Sequence, residues 1–426
     1  MNQEAKDSMQ EKKRENFVLR CSSCGEKYAI DEYGSFYFCK KCGDLLEIKL
    51  LDATRSRNRT SISSGVWKYL DLVPLWNESN IVSLSEGDTV LVECRNLARE
   101  FGIKSLYVKF EGQNPTGSFK DRGMTVGVSK AVEQGYKTVM CASTGNTSAS
   151  LAAYSAHSGK LRCVVLIPKG KIAVGKIAQA IAYGAEIIQV EGNFDDSLHV
   201  ATKVCEENRN VLLLNSLNPF RIEGQKTLAF EIEEQLSGIV PDYVILPVGN
   251  GGNISSIWKG FGELLGKKSE RRPPKMVAVQ AEGAAPIVNA FKQGNRDSID
   301  MIREPYTNAS AINIGSPVSW KKALRAIYES DGLAEAVSDA EIFSAQKLLA
   351  SKEGIFAEPA SATPIAYLSS KLSMNPKVRE EMRDSTVICI ATGNGLKDPN
   401  AILKGITPEK FLTIEPDQRS LEMVLS

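Results

Sequence analysis

The stretch NPTGSFKDRG, residues 114–123, places a lysine where a helix is predicted to begin. Ser118 suits the N-cap position and Asp121 follows three residues later, so Lys120 is expected in the first helical turn. The unpaired N–H groups and the positive dipole end of that turn favour a neutral amine. Because a neutral amine is the form that attacks an aldehyde to give an imine, this stretch predicts a reactive lysine.

Three other loops combine glycine with hydroxyl and amide side chains, each after a strand-like segment. They are ASTGNTSAS at 142–150, PVGNGGN at 247–253 and ATGNGLKD at 391–398. The glycines of PVGNGGN allow consecutive N–H groups to turn inward as a nest for a phosphate. Any one of these loops could be an ordinary glycine-rich turn. Together with the lysine, they predict a phosphate-bearing aldehyde, and pyridoxal 5'-phosphate held as a Schiff base fits that description.

Four of the nine cysteines form two C-x-x-C-G turns, and these are Cys21, Cys24, Cys39 and Cys42. Two such turns supply the tetrahedral thiolate set that zinc accepts, with no position left for a catalytic water. A structural zinc ribbon is therefore predicted, with redox dithiols or a vacant relic of the site as the alternatives. The other five cysteines are scattered, several of them in apolar segments, and are predicted to be buried and inert.

From about residue 106 onward, short apolar runs alternate with helix-like segments. The runs lie at 137–142, 161–168, 186–190 and 243–249. This alternation predicts parallel strands with crossover helices, an open α/β fold. Ligands bind beyond the carboxyl ends of the strands in such sheets, so the loops at those ends should carry the chemistry.

The bulk composition limits the functions that the chain can have. The formal net charge is +1, which gives no overall attraction to nucleic acid or to an acidic membrane. The first residues mix acids and bases around no apolar core, so they are interpreted as a solvated arm and not as a signal peptide. No apolar run approaches the roughly 20 residues of a membrane-spanning helix. The expected location is cytoplasmic, with reduced cysteines.

The four motifs NPTGSFKDRG, STGNTSAS, PVGNGGN and TGNGLKD resemble those of threonine synthases, and they occur in the same order. These are pyridoxal-phosphate enzymes of fold type II, similar to the tryptophan synthase β chain. The resemblance covers about residues 83–398, and the cysteine-rich leader looks like that of many prokaryotic members. It implies two open α/β domains with the cofactor between them, preceded by the small zinc ribbon.

The expected domain ranges are a disordered arm at 1–16, the ribbon at 17–50, and a small domain at 109–219. The large cofactor domain would comprise 51–108 and 220–426. A homodimer is left open as a possible assembly.

The resemblance also implies roles for individual residues. Lys120 matches the Schiff-base lysine, Phe119 would cover one face of the cofactor ring, and Asn146 would bond its 3'-oxygen. Thr392 would face the ring nitrogen. The remaining expectations are the cofactor phosphate on Gly249, Asn250, Gly251, Gly252 and Asn253, the substrate carboxylate on Ser143, Thr144 and Thr147, and the substrate phosphate on Asn215, Ser216 and Arg221.

The implied reaction converts O-phospho-L-homoserine and water to L-threonine and phosphate. A threonine or serine dehydratase would share the lysine and glycine loops but would not need a second phosphate site. A β-replacement enzyme, similar to cysteine or cysteate synthase, is another alternative. From a different class, a nucleic-acid-binding ribbon protein with an inactive enzyme body stays open, although the near-neutral charge disfavours it.

Overall fold

The computed structural model describes residues 10–31, 37–52, 64–170, 174–266, 270–399 and 412–425. The strands are β1 Phe17–Cys21, β2 Lys27–Tyr28, β3 Leu46–Leu50, β4 Leu91–Glu93, β5 Ser105–Phe110, β6 Thr138–Ala142, β7 Arg162–Pro168, β8 Glu186–Val190, β9 Val211–Leu213, β10 Tyr243–Pro247, β11 Lys275–Ala281, β12 Leu333–Val337 and β13 Thr386–Ala391. The helices are α1 Arg95–Phe101, α2 Lys120–Glu133, α3 Asn146–Ser158, α4 Val174–Ala182, α5 Phe194–Glu207, α6 Pro219–Gln225, α7 Thr227–Gln235, α8 Gly252–Leu265, α9 Pro286–Lys292, α10 Trp320–Glu329, α11 Asp339–Glu353, α12 Thr363–Ala366, α13 Pro376–Arg383 and α14 Gln418–Leu425.

The larger sheet has six strands in the order β12-β11-β10-β13-β5-β4. All neighbours are parallel except the edge strand β4, which runs antiparallel to β5. The central strand β10 is buried on both faces: Tyr243 and Ile245 belong to one apolar core, and Val244 and Leu246 to the other. An unbroken apolar run is what a parallel strand covered by helices on both sides requires.

The smaller sheet has four parallel strands in the order β8-β7-β6-β9. Its strands β6, β7 and β8 coincide with predicted apolar runs, and the run at 243–249 contains β10 of the larger sheet, so the predicted α/β architecture is confirmed. The short strand β9 was not among the predicted runs. Side chains of β6 alternate between two cores, with Val139 and Cys141 on one face and Met140 and Ala142 on the other. The five scattered cysteines are buried, as predicted.

Residues 64–82, which precede the first strand of the larger sheet, pack mainly against the core of the smaller sheet. Within the 3₁₀ segment Gly65–Leu72, Trp67 is fully buried and its Nε1 donates to Thr125 Oγ1 at 2.8 Å. Trp76 joins the same apolar core, which also contains Phe17 of the ribbon. Residues 10–15 of the predicted arm are helical, whereas 1–9 lie outside the described residues.

The cysteine-rich region is a three-stranded antiparallel sheet in the order β2-β1-β3. It contacts α10 of the larger unit through ion pairs, because Arg325 Nη2 lies 2.9 Å from Glu47 Oε2 and Lys321 pairs with Asp44. Lys322 Nζ donates to the backbone oxygen of Leu46 at 3.1 Å. The cysteine-rich sheet therefore contacts both the smaller-sheet unit, through the core that contains Phe17, and the larger-sheet unit, through α10. Across the described ranges, no helix combines the length and apolarity needed to cross a bilayer.

A fully buried ionic cluster fixes the start of α2 to the larger sheet. Arg122 Nε lies 2.6 Å from Glu111 Oε2, and its Nη1 lies 2.6 Å from Glu231 Oε1. Lys109 Nζ completes the cluster at 2.8 Å from Glu231 Oε2. Two cations thus face two carboxylates, and removing one partner would leave an uncompensated buried charge. Because Arg122 lies two residues after Lys120, this cluster also places the predicted reactive lysine.

Glycines let α2 and α6 approach each other closely. A Cβ on Gly123 would lie 2.7 Å from the backbone oxygen of Arg221, and one on Gly224 would overlap the backbone oxygen of Arg122. Neither neighbour is a flexible side-chain end, so the helix backbones themselves would have to separate. This contact brings Arg221 on α6 next to the first turn of α2.

We expect Gly224→Ala to destabilise the protein by about 1–3 kcal/mol, because the added methyl group overpacks a backbone contact. Gly262→Ala is the matched control, since Gly262 is an exposed residue of α8 with open space around its Cβ. The control should keep or raise the apparent melting temperature, whereas Gly224→Ala should lower it. Equal melting temperatures for the two variants would contradict this account of the packing.

Candidate active site

One cavity collects the residues that the sequence singled out. It has a volume of about 480 Å³ and lies where the loops after β6, β9, β10 and β13 meet the start of α2. All fifteen residues predicted to bind cofactor or substrate line it. Loops at the carboxyl ends of parallel strands are where α/β proteins bind ligands. The roles of the individual residues stay predictions.

Lys120 is the first residue of α2, as predicted, but the predicted cap is wrong. Phe119 occupies the N-cap position without a side-chain cap, and the Ser118 hydroxyl has no hydrogen-bond partner. Asp121 instead turns back to the preceding loop, where it accepts from the Thr116 amide at 2.7 Å and from its hydroxyl at 2.6 Å. Ser150 on α3 also donates to Asp121. The carboxylate therefore orders the loop before the lysine and does not cap the helix.

The amine of Lys120 lies in an electrostatic setting that favours its neutral form. Burial is the main cause, and the nearby cation of Arg221 adds to it, so the pKa of Lys120 falls to about 7. The carboxylate of Glu358 opposes this shift. The Lys120 Nζ lies 4.2 Å from the ring centroid of Phe119. A substantial fraction of the lysine is thus unprotonated at neutral pH and available as a nucleophile or base.

The PVGNGGN loop opens the fourteen-residue helix α8. Gly251 is its N-cap and has a φ of +82°, a backbone conformation that favours glycine. A Cβ on Gly251 would lie 3.0 Å from Ala323 Cβ and from the backbone oxygen of Ser319. Neither amide atom of the buried Asn253 side chain has a hydrogen-bond partner among the described residues. Free donors at a helix N-terminus fit an anion such as a phosphate.

Asn250 has a different local role from its neighbours in this loop. Its backbone oxygen accepts from the Ser319 amide at 3.0 Å, and its Oδ1 accepts from the Val318 amide at 3.4 Å. These bonds fasten the loop to the start of α10. Asn250 is thereby positioned at the cavity wall with its side-chain oxygen already engaged.

Asn146 begins α3 and faces a residue that sequence reasoning missed. Its Nδ2 lies 3.1 Å from both carboxylate oxygens of Glu358. The two residues are 212 positions apart, and EPAS at 358–361 has no chemical motif that would have pointed to the pairing. Lys397 and Asp398 also line the cavity and were not predicted as site residues.

Thr392 is held by a second unpredicted residue. The hydroxyls of Ser361 and Thr392 are hydrogen-bonded at 2.9 Å, and the Gly393 amide donates to Ser361 Oγ at 2.8 Å. Ser361 therefore restricts the direction in which the Thr392 hydroxyl can point.

The loop after β9 contributes the third group of predicted residues. The Asn215 amide pairs with the backbone of Ala142, accepting from its N–H at 2.9 Å and donating to its oxygen at 2.8 Å. Asn215 thus supports the neighbouring ASTGN loop. Ser216 lines the cavity beside it.

Arg221 is a buried cation without a buried anion beside it. It is 1 % exposed, yet within the described ranges no carboxylate lies within ion-pair distance of its guanidinium. Nη1 donates to the Leu214 backbone oxygen at 3.1 Å, whereas Nε has no partner. Burial lowers the pKa of Arg221 to about 10, so the group remains charged at neutral pH. A desolvated, unpaired guanidinium that lines a cavity is suited to binding an anionic ligand.

The four cysteines of the ribbon converge on one point. Cys21 Sγ lies 3.4 Å from Cys42 Sγ, and Cys24 Sγ lies 3.6 Å from Cys39 Sγ. All four sulfurs lie within 4.8 Å of one another. Four thiolates at Zn–S distances of about 2.3 Å would be about 3.8 Å apart, so this cluster has the dimensions of a zinc site.

The sequence matches an enzyme family and is similar to known members of it. The family model for pyridoxal-phosphate dependent enzymes matches residues 82–393. The threonine synthase of Methanocaldococcus jannaschii is 54% identical over 416 residues, which are 96% of this chain and 99% of the relative. That of Methanosarcina acetivorans is 50% identical over 391 residues, covering 91% and 94% of the two chains.

Solved structures show the same fold at lower identity. Maize serine racemase superimposes with a TM-score of 0.63 at 22% identity, over 74% of this chain and 91% of that one. A fungal L-serine ammonia-lyase from Rhizomucor miehei gives 0.65 at 20% identity, over 76% and 98%. The family match and the high identity to these two threonine synthases, over nearly the whole of each chain, lead to one assignment. The chain belongs to the pyridoxal-phosphate dependent enzymes and, within them, to the threonine synthases.

Proposed function

We propose that this chain converts O-phospho-L-homoserine and water to L-threonine and phosphate. The observation that carries the proposal is the buried, unpaired guanidinium of Arg221 in the same cavity as the Lys120 amine. A substrate with a phosphate on its side chain would supply the anion that Arg221 lacks. The Lys120 amine would act at the carbon atoms between the substrate's amino group and that phosphate.

The cavity fits pyridoxal 5'-phosphate. The N–H groups of Gly249–Asn253 and the free Asn253 amide would hold its phosphate, Lys120 its aldehyde carbon, and Asn146 its 3'-oxygen. Thr392, oriented by Ser361, would contact the ring nitrogen. When bound, the cofactor stabilises the negative charge that develops on the substrate as protons are removed. A hydroxyl at the ring nitrogen leaves that position less positive than a carboxylate would.

Lys120 is proposed to move the protons of the reaction. Released from the cofactor, its amine would remove the proton on Cα and then one on Cβ, after which phosphate leaves from Cγ. Its lowered pKa suits both steps, because the free amine is a base near neutral pH and its conjugate acid can return the proton. A proton delivered to Cγ would then make the methyl group of threonine. Water would add its hydroxyl at Cβ, with its other proton passing to the released phosphate, and Cα would recover a proton.

Two sets of side chains would orient the substrate. Ser143, Thr144 and Thr147 surround the N-terminus of α3, where hydroxyls and free N–H groups suit the carboxylate. Arg221 and Ser216 would hold the phosphate at the other end, with Asn215 keeping the loop in place. Binding both ends fixes Cα and Cβ relative to Lys120, which is the entropic contribution of the site to the rate.

A threonine or serine dehydratase is the main alternative within the fold. Its substrate carries no phosphate, so a buried guanidinium in the cavity would lack an anion and would raise the energy of the site. The unpaired Arg221 therefore favours a phosphorylated substrate over that of a dehydratase. A β-replacement enzyme would act on a shorter phosphorylated substrate, and an assay of the reaction products distinguishes it from a threonine synthase.

The remaining assignments are also proposals. The ribbon at 17–50 is proposed to bind structural zinc through its four cysteines. The ranges 51–108 with 220–426, and 109–219, are proposed as the large and small domains. A cytoplasmic location, a homodimer and the absence of nucleic-acid and membrane partners stay predictions from the sequence.

Replacing Lys120 by alanine should abolish turnover and the visible absorbance of the lysine-bound cofactor together, because the variant lacks both the imine partner and the base. Absorbance spectroscopy and an assay of phosphate and threonine release measure the two effects. Wild-type turnover in Lys120→Ala would contradict the assignment.

Arg221→Leu should keep the visible spectrum but lose activity toward O-phospho-L-homoserine. The loss of a charge-assisted contact to the substrate phosphate corresponds to about 2–4 kcal/mol, or about thirty- to thousandfold in kcat/KM. Any slow deamination of unphosphorylated serine or threonine by the same variant serves as the internal control and should fall far less. Equal losses on both substrates would remove Arg221 from the phosphate site.

Cys39→Ser should reduce bound zinc and lower the melting temperature, because the metal site supports folding. Cys205→Ser is the matched control, since Cys205 is also a buried cysteine but does not belong to the cluster. Elemental analysis and thermal unfolding measure the outcome. If chelation of zinc stopped turnover while the protein stayed folded, the structural role would be wrong.

A further inference from the structure

Glu358 is a buried carboxylate of the cavity that the proposed reaction does not use. Its side chain lines the cavity and the residue is 5 % exposed. In the part of the chain that the structure describes, no lysine or arginine nitrogen lies within 4.0 Å of it. Burying a carboxylate without an ion pair is unfavourable, so such a group in a ligand cavity is a candidate for a functional role.

The fold reserves space for this carboxylate. The Glu358 N–H donates to the Gly393 backbone oxygen at 3.0 Å, which joins the segment to the loop after β13. A Cβ on Gly393 would lie 2.5 Å from Glu358 Oε1 and 2.6 Å from its carboxyl carbon. Glycine at 393 is therefore what permits the carboxylate to face Asn146.

The contact with Asn146 determines how that amide is presented. Both Glu358 oxygens lie 3.1 Å from Asn146 Nδ2, so they approach the amide nitrogen from one side, and that nitrogen carries two N–H donors. The carboxylate also distinguishes the two ends of the amide, because it can bind only the NH₂ end. Asn146 is thereby held with a donor available to an acceptor in the cavity, and the contact joins α3 to the segment that follows α11.

Glu358 also contributes charge at Lys120. Burial raises the pKa of Glu358, while Asn146 and the cations of Lys397 and Lys120 favour its charged form and Asp398 disfavours it. At Lys120, the Glu358 carboxylate acts against the Arg221 cation. Asp121 is the other acid that acts on Lys397, and its charge favours the protonated form of that lysine.

We propose that Glu358 is a positioning residue of the active site. Its carboxylate orients the Asn146 amide toward the cofactor and supplies the negative charge that counters Arg221 at the Lys120 nitrogen. The inference rests on the proposed roles of Lys120 and Asn146 and adds a residue through which both are controlled.

The test is a pH titration of the visible absorbance of the holoenzyme. A nearby carboxylate stabilises the protonated form of the Lys120 nitrogen, so its removal lowers the apparent pKa of that nitrogen. Glu358→Gln should shift the absorbance titration to lower pH by about one pH unit. Glu358→Asp keeps the charge and should titrate close to the wild type.

Two further variants separate this role from general effects. Asp398→Asn removes a negative charge from the same cavity without touching Asn146, and it should shift the titration by much less than Glu358→Gln. If Glu358→Gln does not fold, Gly393→Ala offers a second route, because its methyl group displaces the carboxylate and should shift the titration in the same direction.

An unchanged titration in Glu358→Gln, or an equal shift in Glu358→Asp, would overturn the proposal. That result differs from a failure of the proposed function. If Lys120→Ala retained the visible band of the wild type, the lysine assignment itself would fall, whatever Glu358 does.

Discussion

The buried guanidinium of Arg221 is the constraint on which the active site depends. A cation removed from water is costly unless an anion compensates it, and the described residues supply none within ion-pair distance. Close packing of α2 on α6, made possible by Gly123 and Gly224, nevertheless brings Arg221 beside Lys120. The Arg221 charge is therefore unfavourable where it lies, and it adds to burial, the main cause, in lowering the pKa of the Lys120 amine. Binding of a phosphorylated substrate would supply the anion that Arg221 lacks. The reaction would then use the Lys120 amine, whose lowered pKa makes it a base near neutral pH.

The cavity offers two physically different places for phosphate groups. The Gly249–Asn253 loop presents neutral N–H donors at the start of α8, whereas Arg221 presents a full charge. A nest of N–H donors suits a cofactor phosphate that stays in place, because its geometry is fixed by the backbone. A guanidinium suits a phosphate that arrives with the substrate and leaves as product. Its charge-assisted hydrogen bonds are strong, but they come from one side chain and not from a backbone loop that encloses the phosphate. Lys120 opens on the same cavity and would act on the substrate held there.

Local features of the site could be predicted from sequence, and long-range ones could not. The strand–loop–helix units of 137–158 and 243–265 and the position of Lys120 follow from short apolar runs and from glycine-rich loops, and the structure confirms them. Ser118 was wrong as a cap, because Phe119 occupies the N-cap position and the helix begins at Lys120. The Asp121 carboxylate, which would complete a capping box, is held instead by Thr116 and Ser150. Glu358 and Ser361 could not be predicted, because their partners lie 212 and 31 positions away in the chain. The Glu358–Asn146 contact depends on how the two sheet units pack, and the Ser361–Thr392 contact depends on the path of the chain around the larger sheet, and a local pattern encodes neither.

The central claim is that one cavity holds two phosphate sites on either side of a lysine amine. The most direct measurement is a crystal structure of the holoenzyme with an unreactive phosphonate analogue of O-phospho-L-homoserine. The account predicts the cofactor phosphate on the Gly249–Asn253 loop and the phosphonate within hydrogen-bond distance of the Arg221 guanidinium, with Cα and Cβ facing Lys120. A phosphonate bound away from Arg221, or a cofactor phosphate held outside the glycine loop, would contradict it.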